Sequence, residues 1–173
     1  DVQLVIAGSS NYGADADWIG WNRTVLEFLK DHADYLSLHM YVGNADNDAA
    51  DFLACAMELD QRLATAAGLI NAATASNPSR KIYIAFDEWN VWYRAPAPTQ
   101  HGRNILEAHY DLEDALVVAT FLNSFVRRAD VVKMANMAQL VNVIAPIFTS
   151  ETGLFLQTIY YPLQQFARNS HGA

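Results

Sequence analysis

The stretch that decides the fold is Lys81–Phe86 (KIYIAF), which runs directly into Asp87–Asn90 (DEWN). A short apolar run is typical of a buried strand, and polar residues that follow it are typical of a site at the edge of a parallel sheet. Three further apolar runs of this kind occur at Val2–Ala7, Tyr35–Tyr41 and Val131–Leu140. A helical pattern follows each run, so the sequence predicts a strand and a helix alternating four times.

The helical patterns each place apolar side chains on one face. The expected face of the first helix consists of Trp18, Trp21, Val25 and Leu29. The second helix is expected over about residues 49–73, with the face Phe52, Ala56, Leu59, Leu63 and Ile70. The third is expected from near Asp111, a suitable N-cap, to Arg128, with the face Leu112, Ala115, Leu116, Ala119, Leu122 and Phe125. The tail, Ile147–Asn169, is expected to hold a short extended piece and a helix that opens at Pro162.

Alternation of apolar strands with helices implies an α/β fold with a parallel sheet covered by helices. Two architectures fit, an open doubly wound sheet and a (β/α)8 barrel of the TIM type. A barrel takes ~250 residues, whereas this chain has 173 residues and four predicted units. If the architecture is a barrel, the chain is therefore half of one.

Composition and charge exclude several classes of function. The net charge is −8, and no cluster of Lys and Arg stands out among the 11 basic residues, which argues against a nucleic-acid partner. The apolar runs are shorter than the ~20 residues that a membrane-spanning helix needs. Cys55 is the only cysteine, so no intrachain disulfide can form, and this fits a reducing compartment. The expected location is the cytoplasm, with secretion as the alternative.

The candidate catalytic residue is Glu88. In a regular strand Ile82, Ile84, Phe86 and Glu88 share a face, so the carboxylate would end an apolar row and project over the mouth of a barrel. Function in parallel sheets sits at the carboxyl ends of the strands. The position of Glu88 therefore makes it a candidate functional residue.

The neighbouring strand places Ser37, His39 and Tyr41 on one face. Tyr41 is positioned to donate a hydrogen bond to the Glu88 carboxylate, which favours the ionised form that a nucleophile needs. Gln139 ends the next strand, and aromatic side chains surround Glu88, namely Trp89, Trp92 and Tyr93. Aromatic faces are common platforms for sugar rings, whereas the structural alternative for these side chains is a place in the core.

Structural roles are the alternative for each of these residues. A lone Glu at a strand end is usually a loop or capping residue, and a lone His such as His39 is usually a satisfied buried side chain. Asp87, expected on the opposite face from Glu88, fits a structural role, and Gln139 fits an ordinary buried amide. His101 and His109 lie eight apart without ligand-like partners, so no metal site is predicted.

Four stretches taken together resemble the α-L-arabinofuranosidases of glycoside hydrolase family 51. They are Asp34–Asn44 (DYLSLHMYVGN), Phe86–Tyr93 (FDEWNVWY), Ala138–Pro146 (AQLVNVIAP) and Thr158–Pro162 (TIYYP). They are spread across nearly the whole chain in the family's order, and four collinear motifs are far more specific than the DEWN motif alone.

The resemblance implies that the chain is the C-terminal half of the catalytic barrel, strands five to eight. It implies that Glu88 is the nucleophile, that Tyr41 lies beside it, and that Trp92 and Gln139 lie in the arabinose pocket. The implied reaction removes terminal α-L-arabinofuranosyl groups from arabinan, arabinoxylan and their oligosaccharides with retention. The resemblance implies no metal or organic cofactor, and a homo-oligomer when the enzyme is complete.

The chain departs from the family because it lacks the motif that carries the acid/base residue. The family's acid/base glutamate lies in an Asn-Glu dipeptide, and this sequence contains no such dipeptide. We expect residues 1–173 to be a fragment whose partner is the missing barrel half, without the family's C-terminal β-sandwich. The alternatives are another retaining glycosidase of the same clan, such as a β-xylosidase or endoglucanase, an inactive sugar-binding remnant, and an open α/β binding domain.

Overall fold

The computed structural model describes residues 2–9, 17–93 and 107–170. Strands and helices alternate in these ranges as the sequence predicts. The elements are β1 (Val5–Ala7), α1 (Trp18–Leu29), β2 (Tyr35–Val42), α2 (Ala49–Ala54), α3 (Ala56–Thr74), β3 (Tyr83–Val91), α4 (Leu112–Arg127), β4 (Val132–Met137), β5 (Ile147–Ser150), β6 (Gly153–Leu156) and α5 (Tyr160–Asn169).

Strands β1 to β4 form one parallel sheet in the order β1-β2-β3-β4, while β5 and β6 form an antiparallel hairpin. The prediction of an α/β fold with a parallel sheet is thus confirmed. Connections between neighbouring parallel strands are right-handed, and a sequential strand order therefore places the intervening helices on the same face of the sheet. The other face of the sheet carries the polar side chains of β2 and β3.

The core lies between the sheet and its helices. Strand β2 turns Leu36, Leu38 and Met40 into this core. Strand β3 contributes Phe86, whose ring centre lies 5.2 Å from that of Phe125 in α4. Trp89 of β3 also packs on α4, with its ring centre 6.0 Å from that of Phe121. These large side chains fix β3 against α4, and β3 is the strand that carries Glu88.

Helix α4 begins with the predicted N-cap. The carboxylate of Asp111 accepts hydrogen bonds from the backbone N–H of Glu113 at 2.8 Å and of Asp114 at 3.3 Å. The side chain of Asp114 in turn accepts from the backbone N–H of Asp111 at 2.7 Å. This reciprocal capping satisfies N–H groups that a helix otherwise leaves unpaired.

The expected apolar face of α1 is confirmed at Trp18 and Val25, which lie in or against the core, and is wrong at Trp21 and Leu29, which are exposed. The buried residues are Trp18, Asn22 and Leu26, while the Trp21 side chain is 55% exposed and donates its indole N–H to the backbone oxygen of Ala7 at 3.1 Å. The burial of Asn22 leaves no polar group of its side chain unpaired, because its amide forms hydrogen bonds with two backbone atoms. A polar residue that finds such partners takes a core position which a hydrophobic pattern cannot anticipate.

The expected face of α4 is confirmed at Leu122 and Phe125, which pack in or against the core, and is wrong at Leu112 and Leu116. Leu112 and Leu116 are exposed, whereas the buried residues include Val117, Val118 and Phe121. The helix is apolar around much of its circumference, so spacing alone leaves two faces possible. Contact with Trp89 of the sheet selects the face that contains Phe121.

Several boundaries differ from the prediction. Strand β1 begins at Val5 instead of Val2, and β4 ends at Met137 instead of Leu140. The helix expected over residues 49–73 is divided at Cys55 into α2 and α3. Helix α5 begins at Tyr160, so that Pro162 lies in its first turn, where a proline is tolerated. Strand β3 extends to Val91 and contains Asp87–Asn90, which places Glu88 within the strand instead of after it.

Candidate active site on the parallel sheet

Strand β3 contains a bulge immediately before Glu88. Ser37 of β2 pairs with Ala85, but His39 pairs with Glu88, so β2 advances by two residues while β3 advances by three. An extra residue in one strand shifts the alternation of its side chains. Phe86 consequently faces α4, while Glu88 contacts His39 on the other face.

The prediction that Glu88 continues the row of Ile82, Ile84 and Phe86 is therefore wrong, because that row ends at Phe86. The expectation that Asp87 lies on the opposite face from Glu88 is wrong for the same reason. Both carboxylates reach the imidazole of His39. The bulge brings two adjacent acidic side chains to one ring.

The imidazole of His39 lies between the two carboxylates. Its Nδ1 atom is 3.3 Å from Oε2 of Glu88, and its Nε2 atom is 3.4 Å from Oδ1 of Asp87. The hydroxyl of Ser37 donates to the same Asp87 oxygen at 2.7 Å and lies 3.3 Å from His39 Nε2. Ser37 and Asp87 together hold one edge of the ring, so the other edge is directed at Glu88.

The hydroxyl of Tyr41 interacts with the Glu88 carboxylate. Burial raises the pKa of Tyr41 to about 12, and the negative charge of Glu88 acts in the same direction. The phenol therefore keeps its proton at neutral pH and is available as a donor to the carboxylate. The Glu88 side chain remains 47% exposed, which leaves it accessible to a ligand.

Trp92 lies directly after β3 and packs against Tyr41. Their rings meet edge to face, with centres 5.2 Å apart. The backbone N–H of Trp92 donates to the carbonyl of Val42 at 2.7 Å, so the residue continues the pairing of the sheet. Three of the predicted site residues, Tyr41, Glu88 and Trp92, are thus joined by direct contacts.

Gln139 is exposed and follows β4. Its connection to the rest of the site runs through the backbone, because the N–H of Ala138 donates to the carbonyl of Trp89 at 3.1 Å. Its side-chain amide donates to the carbonyls of Val141 at 3.3 Å and Asn142 at 2.9 Å. The described contacts place Gln139 at the same edge of the sheet as Glu88, without a direct bond between them.

Sequence reasoning missed the pairing of Asp87 with His39 and the role of Asn90. The Asn90 side chain is 1% exposed and donates to the carbonyls of Ala138 and Ile144. The available signal was the pair of adjacent acidic residues, Asp87 and Glu88, in an otherwise apolar strand, because regular alternation would send one of them into the core. Such a pair is consistent with a bulge.

Other features of the chain do not form part of this site. A surface cavity lined in part by Arg80, Tyr83 and Asp130 lies at the amino ends of β3 and β4, away from the end where function is expected. Burial raises the pKa of the Cys55 thiol to about 12, so this thiol is unreactive. His101 lies outside the described residues.

Two further observations hold for residues 2–9, 17–93 and 107–170. In these ranges no group of three or more His, Cys, Asp or Glu side chains is arranged to hold a metal ion. In the same ranges no helix is both long and apolar enough to cross a membrane.

Fold and site together define an α/β protein with an acidic site towards the carboxyl ends of its parallel strands, as in many enzymes of this class. The family model described as "Alpha-L-arabinofuranosidase C-terminal domain" matches residues 87–173, half of the chain. The chain belongs to the α-L-arabinofuranosidases of glycoside hydrolase family 51, as its resemblance to them predicts.

Individual relatives agree with this assignment. The chain is 43% identical over 169 residues to the intracellular exo-α-(1→5)-L-arabinofuranosidase 1 of Bacillus subtilis, covering 93% of this chain and 34% of the relative. It is 39% identical to the corresponding enzyme of Acetivibrio thermocellus, covering 99% of this chain and 36% of the relative. The chain thus spans about a third of the length of these relatives.

Solved structures show the same fold. A family 51 α-L-arabinofuranosidase from Bifidobacterium longum superposes with a TM-score of 0.84 at 32% identity, over 96% of this chain and 36% of that one. The arabinose complex of the Thermotoga maritima α-L-arabinofuranosidase superposes with a TM-score of 0.77 at 32% identity, over 94% of this chain and 30% of that one.

Proposed function

We propose that this chain is the part of a retaining α-L-arabinofuranosidase that carries the nucleophile, and that Glu88 is that nucleophile. The observation that carries the proposal is the arrangement around Glu88, a half-exposed carboxylate that contacts the His39 ring and interacts with the hydroxyl of Tyr41. Membership of family 51 supports the choice of reaction. The full-length arabinofuranosidase that would contain this chain is called the complete enzyme below.

The proposed reaction proceeds in two displacements. An oxygen of Glu88 attacks the anomeric carbon, the glycosidic bond breaks, and the leaving oxygen takes a proton from a second carboxyl group. Water then attacks the anomeric carbon and releases arabinose and the free carboxylate, with the second group acting as base. Hydrogen bonds from Tyr41 and His39 would hold Glu88 in place for the attack, since positioning contributes strongly to such reactions.

Trp92 and Gln139 are proposed to bind the arabinofuranosyl group. Trp92 packs on Tyr41 beside Glu88, so a ring that approaches Glu88 would meet an aromatic wall. Gln139 lies at the end of the neighbouring strand and is exposed. The proposed substrates are arabinan and arabinoxylan oligosaccharides with terminal α-L-arabinofuranosyl groups, consistent with the names of the bacterial relatives.

We further propose that the four parallel strands are half of a (β/α)8 barrel. Their sequential order favours a barrel, because a doubly wound sheet reverses its strand order. The outer strands β1 and β4 each pair on one side only within the described residues, and exposed strand edges pair readily with further strands. The missing half would supply four strands and the acid/base carboxyl group.

The relatives' names, which include the word intracellular, support a cytoplasmic location. That the complete enzyme is a homo-oligomer stays a prediction.

Covalent labelling tests the proposed nucleophile. A mechanism-based arabinofuranosyl inhibitor should attach to Glu88 in the complete enzyme, and peptide mass spectrometry should locate the label. The matched control is Glu88→Gln, which keeps the size of the side chain and should remain unlabelled. Labelling by a xylosyl analogue in preference to the arabinosyl one would favour the β-xylosidase alternative, and a label at another carboxylate would remove Glu88 from the role.

A further inference from the structure

The segment that follows β4, residues 138–144, is held in an uncommon backbone conformation. Asn142 and Val143 both have φ of 62°, in the left-handed region that β-branched residues such as valine rarely adopt. Conformations of this kind persist only where the surrounding structure holds them, and they cluster at functional sites. The contacts that hold this segment therefore bear on its functional role.

Asn90 of β3 bonds both ends of the segment. Its amide nitrogen donates to the carbonyl of Ala138 at 3.0 Å and to the carbonyl of Ile144 at 2.5 Å. Its amide oxygen accepts from the backbone N–H of Val91 at 2.8 Å. The side chain is 1% exposed, so these bonds do not compete with water. Both amide hydrogens of Asn90 are thus used to tie the ends of the segment to the strand that carries Glu88.

Gln139 ties the middle of the same segment. Its amide nitrogen donates to the carbonyls of Val141 and Asn142. Because both partners are carbonyl oxygens, only the nitrogen side of the amide can face them. The side chain is exposed, and its Oε1 atom is the part of the amide that remains for a ligand. Gln139 therefore offers a hydrogen-bond acceptor, which selects a donor such as a sugar hydroxyl.

We propose that Asn90 is a positioning residue for substrate binding: it holds the segment 138–144 so that Gln139 presents Oε1 to a hydroxyl of the substrate. The inference rests on the proposed function, because it takes Gln139 as a substrate-binding residue. It extends that function in two ways: Asn90 becomes a positioning residue, and Gln139 becomes the acceptor in its hydrogen bond with the substrate. Asn90 acts on substrate only through Gln139.

A double-mutant cycle in the complete enzyme tests the connection. Asn90→Ala should raise KM for an aryl arabinofuranoside about two- to tenfold, the value of one hydrogen bond, with kcat little changed. Gln139→Ala should have an effect of similar size. If Asn90 acts through Gln139, the double variant should bind no worse than Gln139→Ala alone, because coupled residues are not additive. Additive effects on KM would overturn the proposal.

Hydrogen exchange provides a readout that needs no catalytic activity. The amides of Ala138 and Asn142 are bonded to Trp89 and Ile147, so exchange at both should become faster in Asn90→Ala. The matched control is Asn22→Ala, because Asn22 is also fully buried and bonds two backbone atoms, of Trp18 and Ser9. This control should leave exchange at Ala138 and Asn142 unchanged. If Asn90→Ala does not fold, Asn90→Ser, which keeps one donor, should show the same changes at a smaller size.

The outcomes separate this inference from the proposed function. Unchanged exchange at Ala138 and Asn142 in a folded Asn90 variant would reject Asn90 as the positioning residue even if Glu88 is labelled. Faster exchange together with an unlabelled Glu88 would reject the proposed function and leave Asn90 only as the residue that holds the segment. Faster exchange, a labelled Glu88 and a non-additive rise in KM are the results expected.

Discussion

Nδ1 of His39 lies 3.3 Å from Oε2 of Glu88, and this contact exists because a bulge in β3 turns Glu88 away from the helices. The same ring faces Asp87 through its other nitrogen. A ring held between two acceptors has its orientation fixed, and second partners of this kind commonly orient the groups that do chemistry.

Tyr41→Phe should reduce kcat of the complete enzyme about tenfold, because a hydrogen bond to a charged group is worth about 1.5–3 kcal/mol and Glu88 is partly solvated. The fold should persist, since the ring still packs on Trp92. Steady-state kinetics on an aryl arabinofuranoside would measure the change. Tyr160→Phe is the control, because it removes a hydroxyl that contacts Gln164 instead of Glu88. Equal rates for both variants would contradict the role of Tyr41.

Asp87→Asn should change the electrostatic environment of the His39 ring without unfolding the chain. The amide can still accept the bond from the Ser37 hydroxyl, but the negative charge beside Nε2 of His39 is lost. The nitrogen-15 resonances of the His39 ring should shift. Asp60→Asn is the control, since Asp60 pairs with Arg127 and does not touch the ring. Unchanged Nε2 resonances in Asp87→Asn would mean that Asp87 does not influence His39.

Gln139→Ala should weaken substrate binding by the complete enzyme while leaving the fold intact. One hydrogen bond to a neutral hydroxyl is worth about 0.5–1.5 kcal/mol, or more if a buried group is left unpaired. Binding of arabinose by calorimetry and KM for an arabinofuranoside would both report it. Gln164→Ala, on α5, provides the control. Kinetics identical to those of the parent enzyme would remove Gln139 from the site.

Stability should fall above about pH 10, where tyrosines of the unfolded chain lose their protons. Tyr93 donates to Asp114 at 2.6 Å, and burial raises the pKa of Tyr93 and Tyr110 well above the usual value. A raised folded-state pKa gives stability that is complete below the unfolded pKa and is lost as the pH rises towards the folded one. Urea unfolding midpoints from about pH 8 to about pH 12 would show the decline, and Tyr93→Phe should make it shallower. An equal slope in both proteins would contradict this linkage.

The 173-residue chain by itself should show no meaningful turnover of an arabino-oligosaccharide. The proposed reaction needs a second carboxyl group, and general acid–base help is worth about 10²–10⁴-fold. Mixing the chain with a separately produced fragment that carries the other four strands should restore some activity. The same mixture with Glu88→Gln is the control and should stay inactive. Arabinose release by the purified chain alone, at a rate normal for the family, would end the half-barrel proposal.

The sequence alone determined the order of strands and helices, the N-cap at Asp111 and the choice of Glu88 as the residue to examine. These features depend on short-range physics: apolar runs form buried strands, and a carboxylate accepts from the free N–H groups of the helix it precedes. Family motifs then assigned Tyr41, Trp92 and Gln139 to the same site, and the structure places Tyr41 beside Glu88 and packs Trp92 on Tyr41.

Only the tertiary structure decided which way the side chains of β3 point. Strict alternation predicts Glu88 beside Phe86, but the register between β2 and β3 shifts before Glu88, and a shift of register depends on both strands at once. Contacts between residues about fifty positions apart, such as Ser37 with Asp87 and Asn90 with Ala138 and Ile144, are equally invisible to a local pattern. They form because Phe86 and Trp89 pack against α4. The carboxylates of Asp87 and Glu88 therefore lie on the opposite face of the sheet, where they contact His39.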